Sequence, residues 1–237
     1  MFNRRPLRER LYNLAAKTLG WQDPAAELNA ALAKSPEKIG AVRMTVLNGS
    51  RLAMGWQPTM VFNPTWNWGR PEKVGSLLEV TRVEGGRLYV RDPCPGPSPP
   101  MSCTTCWLAA TWPWLPLPAL PPGVVIHIRT IKLEGWIDLG TGEVDLDFVS
   151  SFATQLAGGL WATQPLAVAA RMASGEQAGS VFHAVGEPLR GADATLVALS
   201  EVPPTSDAAQ NAVLMLPTDA LSVLKVRLEL IPRDGRP

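Results

Sequence analysis

The chain has 237 residues with 22 Lys and Arg against 21 Asp and Glu, a formal net charge of +1, so its overall charge gives no electrostatic footprint for nucleic acid. The length suits one large domain or two small ones, and no run of about eighteen apolar residues occurs, so no transmembrane helix is expected. Its 23 prolines favour short strands and structured loops over long helices.

Leu7, Leu11, Leu14, Ala15 and Leu19 recur at helical spacing and predict a helix stopped by Gly20. Around it Arg4, Arg5, Arg8, Arg10 and Lys17 are opposed only by Glu9. Such a basic side suits an anionic membrane surface, an acidic partner or plain solvation. The Arg-rich, acid-poor start has a transit-peptide flavour, although it is poor in Ser and Thr. Asp23-Pro24 is a cap followed by a first-turn proline and predicts a second helix to Lys34. Residues 1–39 are therefore read as a helical N-terminal arm.

From residue 40 the texture is β. Val42, Met44 and Val46 alternate with Arg43 and Thr45, Asn48-Gly49 signals a turn, and Leu52–Phe62 reads as the next strand. Gly75–Val83 and Arg87–Arg91 flank Glu84-Gly85-Gly86 as a hairpin. Val124–Phe152 is a second, longer hairpin turned at Gly140-Thr141-Gly142. Its first strand alternates until Thr130, where the apolar face switches sides, which predicts a bulge or a strand passing between two packing environments. Its second strand points Val144, Leu146 and Phe148 to a core and Glu143, Asp145 and Asp147 away. Those acids suit a solvated face or basic neighbours better than a metal site. Further on come a mixed segment Gln164–Ser174, strands at Ser180–Gly186 and Thr195–Ser200, and a polar loop Val202–Gln210. A helical turn started by Thr218 and a closing strand through Val226, Leu228 and Leu230 complete the chain. Many short strands predict a mainly β fold for 40–237, an antiparallel barrel or sandwich with a short helical N-terminal arm, α+β being the alternative.

The loop 93–122 has the most unusual composition. Cys103-Thr104-Thr105-Cys106 is a C-x-x-C with Cys94 nearby. It suits a thiol redox site, an incomplete metal site, or small packing residues and a local loop disulfide. Three clustered cysteines are not a secreted disulfide framework, so a reducing compartment is expected. Trp107–Pro122 carries no charge, and its prolines exclude a regular helix. Trp107, Trp112, Trp114, Leu115 and Leu117 either pack on the protein's own sheet or dock on an apolar partner or bilayer interface. His127 lies mid-strand as a half-buried, satisfied imidazole. Ser150-Ser151 lacks a nucleophile-elbow context, no phosphate or dinucleotide loop is present, and aromatic residues do not interleave with a basic stripe.

The segment GWIDLGTGEVDLDF, the following SSFATQLAGGLWATQPLAVAARMASGE, and Leu216-Pro217-Thr218-Asp219-Ala220-Leu221 resemble a group of uncharacterised plastid and cyanobacterial-type proteins. The resemblance covers the second half of the chain and implies a plastid setting beside thylakoid membranes; it carries no catalytic residues. With it, the charge-free loop and the lack of a catalytic constellation point to a non-enzymatic accessory subunit of a membrane complex. Arg4, Arg5, Arg8 and the Trp/Pro run would be its docking elements. A barrel binding a lipid or pigment, and a thiol redox or metal module on Cys94, Cys103 and Cys106, are the alternatives. No cofactor is specified, and no nucleic-acid partner is expected.

Overall fold

The computed structural model describes residues 23–55, 60–62, 74–97, 101–102, 124–156 and 161–234. Its strands are β1 (Ile39–Val46), β2 (Ser50–Met54), β3 (Met60–Phe62), β4 (Gly75–Glu84), β5 (Arg87–Arg91), β6 (Met101–Ser102), β7 (Val124–Asp138) and β8 (Val144–Leu156). They continue as β9 (Trp161–Ala162), β10 (Leu166–Ala173), β11 (Glu176–Ala178), β12 (His183–Val185), β13 (Glu187–Arg190), β14 (Asp193–Val202) and β15 (Thr218–Pro232). Helix α1 (Pro24–Leu32) precedes them, and α2 (Ala208–Leu214) lies between β14 and β15.

The order β14-β10-β8-β7-β5-β4-β1-β15 is closed by pairing of β15 with β14, an antiparallel ring of eight strands. The expected choice between barrel and sandwich thus resolves to a barrel. The last strand makes the difference. From Thr218 to Arg227 it pairs with the whole of β14 and, on its other edge, with β1 and then β2.

β1 and β2 both run antiparallel to β15, so they lie end to end instead of folding back on each other. Asn48-Gly49 forms the expected turn, but it bulges the chain along β15 without reversing it. The stretch from Val46 to Arg51 is two residues longer than the Val223–Val226 stretch facing it. Ser50 Oγ accepts from Lys225 N–H and donates to Leu47 O across the interruption. The reversal comes later, so the single strand expected over Leu52–Phe62 is the hairpin β2–β3. Other departures are local. The mixed segment Gln164–Ser174 contains strand β10, only His183–Val185 of Ser180–Gly186 is strand, and the second helix precedes Thr218. Asp207 caps α2 by accepting from Ala209 and Gln210 N–H, while Thr218 is already paired with Val202 in the sheet.

The long hairpin β7–β8 follows its sequence pattern. The register slips between Thr130 and Lys132, the predicted bulge. Asp138 organises the turn, accepting from Gly140 N–H at 2.9 Å and Thr141 N–H at 3.0 Å and pairing with Arg87 Nε at 3.0 Å. The Thr141 amide, then the Arg87 guanidinium and the Gly140 amide, hold its carboxyl below the usual range. Gly142 has φ +78°, and a β-carbon there would strike the backbone of Leu189.

One half of the barrel, here the lower half, is solid. Val42, Leu78, Leu88, Ile137, Leu146, Leu196, Leu228 and Leu230 meet there with at most 1% exposure. Helix α1 closes this end. Its cap Asp23 also pairs with Arg227 at 2.8 Å, and Arg227 holds Asp193 at the start of β14. Asn29 Nδ2 donates to Leu228 O at 2.7 Å and to Gly191 O at 3.0 Å, and its Oδ1 accepts from Leu230 N–H at 2.8 Å. A side-chain amide thus continues the β15 ladder past the point where β14 begins.

Two further side-chain amides do similar work. The β10–β14 ladder has only three residue pairs. Gln177 straps this seam, donating to Arg171 O and Val197 O and accepting from Leu199 N–H. Fully buried Gln210 of α2 makes a reciprocal pair with the backbone of Gln164 at 3.1 Å each way.

Candidate functional site

In an antiparallel sheet, residues paired across a ladder point to the same face. The upper inner wall is therefore fixed by register. On one side lie Leu133/Phe148/Ala170, Thr130/Ser150/Val168 and Ile128/Phe152/Leu166. On the other lie Leu196/Leu224, Ala198/Ser222/Leu52 and Ser200/Ala220/Met54. These inward positions mix bulky apolar residues with Ala, Ser and Thr.

Ile128, Phe148, Phe152, Leu52, Met54 and Leu224 point into the ring yet remain partly exposed. In the lower half the inward leucines are sealed. In the upper half these larger side chains stand among small ones, with Ala170, Ala198, Ser200, Ser222 and Ala220 on the same inner face. Leu214 of α2 packs with Leu166 and Val202 at one side of this end, beside Met54, Leu216 and Ala220.

The lumen wall contains one unusual polar atom. Ser150 is 0% exposed, and its Oγ has no hydrogen-bond partner. Phe148 and Phe152 flank it on the same face. Four residues of strand span about 13 Å, yet the two ring centroids are 6.4 Å apart with planes at 82°. The rings lean together edge to face across the serine. Among the described residues, every inward-facing position is apolar, Ala, Gly, Ser or Thr, so the lumen wall carries no formal charge.

The residues singled out from sequence fall elsewhere. Arg4, Arg5, Arg8, Cys103, Cys106, Trp107, Trp112, Trp114, Leu115 and Leu117 lie outside the described residues. Cys94 is exposed, its N–H bonded to Asp92 Oδ1. Among the described residues no three His, Cys, Asp or Glu side chains group as metal ligands, and no helix is long and apolar enough to cross a membrane. Asp145 forms a two-pronged pair with Arg171, Asp147 lies 3.9 Å from Lys132, and both face outward, as the reading of a solvated, base-paired face anticipates. His127 is half-buried as expected, but its Nε2 is buried without a partner, so it is not the satisfied imidazole of the sequence reading.

Ser150, Phe148 and Phe152 are not legible as a site from motifs, because a lone serine outside a nucleophile elbow matches no catalytic pattern. The available signal was subtler: in Phe148-Val149-Ser150-Ser151-Phe152 a hydroxyl occupies an inward position between two inward aromatics. Comparison with family models, characterised proteins and solved structures returns no match.

Proposed function

We propose that the barrel binds one apolar small molecule, a lipid or pigment, in the upper half of its lumen. The observation that carries this reading is the partial exposure of Ile128, Phe148, Phe152 and Leu224, which the register turns inward. An eight-stranded barrel is just wide enough either to be filled by its own side chains or to hold one small ligand. The lower half takes the first course, and the composition of the upper half favours the second. Ligand sites are mostly apolar with a few placed polar groups, which matches aromatic and aliphatic walls spaced by serine and alanine.

The test uses the full chain. Organic extracts of the purified protein are analysed by mass spectrometry, and the hydrocarbon dye diphenylhexatriene is titrated by fluorescence. The reading expects saturable dye uptake that is abolished by Ala170→Trp on one wall and by Ser222→Phe on the other, both of which fill the lumen. No saturable uptake, or uptake unchanged in folded forms of either variant, refutes it.

A further inference from the structure

We infer that the lumen selects an apolar ligand bearing a neutral oxygen, a carbonyl or hydroxyl, and that this oxygen hydrogen-bonds Ser150 Oγ once Phe148 and Phe152 part. The inference rests on the proposed ligand-binding role of the barrel. Three observations carry it.

The first is the serine. A buried hydroxyl with no protein partner is an exception among native side chains and lowers stability unless something satisfies it. Ser150 Oγ is such a group, on a face that the register aims into the lumen. A hydroxyl both donates and accepts, so it can serve a carbonyl, ether or alcohol oxygen.

The second is the ring pair. Phe148 and Phe152 are partly exposed lumen residues, while the serine between them is sealed. The two inward side chains next to Ser150 along its own strand are thus aromatic rings that lean towards each other. Their edge-to-face contact at 6.4 Å involves no polar group, so a flat or elongated apolar molecule can replace each ring's partner while its oxygen reaches the hydroxyl. The same rings then flank the ligand.

The third is charge. No Lys, Arg or His faces inward among the described residues. A carboxylate brought to Ser150 would lose its hydration without a counter-charge, which strongly disfavours it. A neutral oxygen has no such penalty. The site thus distinguishes an alcohol, ketone or ester from the corresponding acid.

Retinol, retinoate and diphenylhexatriene serve as probes of the full chain, the first two by displacement of the dye. Retinol is expected to displace the dye at roughly tenfold lower concentration than retinoate, the difference reflecting the unbalanced carboxylate. Ser150→Ala is expected to raise the retinol Kd about fivefold, or ~1 kcal/mol for one neutral hydrogen bond, and to leave the dye Kd unchanged. The variant removes an unpaired group, so it should melt no lower than the parent. Ser150→Cys, nearly isosteric but a weaker donor, gives an independent comparison. Retinoate binding as tightly as retinol, or a retinol-to-dye affinity ratio unchanged in both variants, overturns the inference while leaving the lumen reading intact. Absence of dye uptake by the parent overturns both.

Discussion

Asn29 is the residue whose removal should most clearly expose how the barrel is closed. It sits on α1 with 5% exposure and joins three backbone groups far away in sequence. Leu228 N–H is satisfied by Ala192 O, the last help β14 gives. The next two groups on that edge, Leu228 C=O and Leu230 N–H, depend on the Asn29 amide. Replacement by Leu leaves both unpaired in the interior at about 1–1.5 kcal/mol each, with a smaller loss at Gly191 O, for a total near 3 kcal/mol. In a chain of this length each kcal/mol moves the melting temperature by about 2–4 °C, so Asn29→Leu should melt roughly 6–12 °C lower. Asn29→Asp should be no better: it keeps the acceptor for Leu230 N–H but sets a carboxylate against two carbonyl oxygens. Ala30→Gln, at an exposed position on the same helix, should stay within about 0.5 kcal/mol. Thermal melts followed by circular dichroism, with urea titrations to confirm an unchanged slope, measure all three. If Asn29→Leu melts within 2 °C of the parent, about 0.5–1 kcal/mol, the amide is not sustaining the β15 edge.

Two other substitutions test neighbouring claims. Gln210→Leu, at a fully buried amide that pairs with Gln164 in both directions, should cost about 2 kcal/mol; amide exchange should rise at Gln164 and not in β4 or β5, and uniform exchange across the barrel would contradict the local role. Asp219, 3% exposed, accepts from Val181 N–H at 2.7 Å, and that amide, with Ser180 and Phe182, holds its carboxyl below the usual range. A lowered folded pKa means its contribution is complete above the unfolded value of about 3.9 and is lost as pH falls through the folded value. The difference in melting temperature between the parent and Asp219→Asn should therefore be constant near neutrality and shrink as pH drops below about 4; a difference that grows with acid would be the wrong sign.

How far the sequence reveals this protein depends on whether a feature is repeated along the chain or made once across it. Alternation is repeated, so Val144, Leu146 and Phe148 declare their inward face, and the flip after Thr130 declares the bulge found between Thr130 and Lys132. Turn chemistry is also local, yet Asn48-Gly49 shows its limit. The same backbone freedom that permits a reversal permits a bulge, and the choice is made by β15, which is long enough to take both β1 and β2 on one edge. Closure is less legible still. Asn29, Gln177 and Gln210 are ordinary polar residues within their own segments, and only the folded ring shows that each replaces a peptide group where a ladder runs out around β14. The candidate site belongs to this last kind. Alternation along β8 puts Ser150 on the inward face, but its meaning comes from what surrounds it: two phenylalanines leaning together beside it, Thr130 paired opposite, and alanines and serines on the far wall. A barrel that needed only stability would place an apolar side chain at that position, as the lower half does with Leu78, Leu88, Ile137, Leu146 and Leu228. An unsatisfied hydroxyl retained between two partly exposed inward aromatics is therefore better explained by something that enters between them than by the packing of the walls.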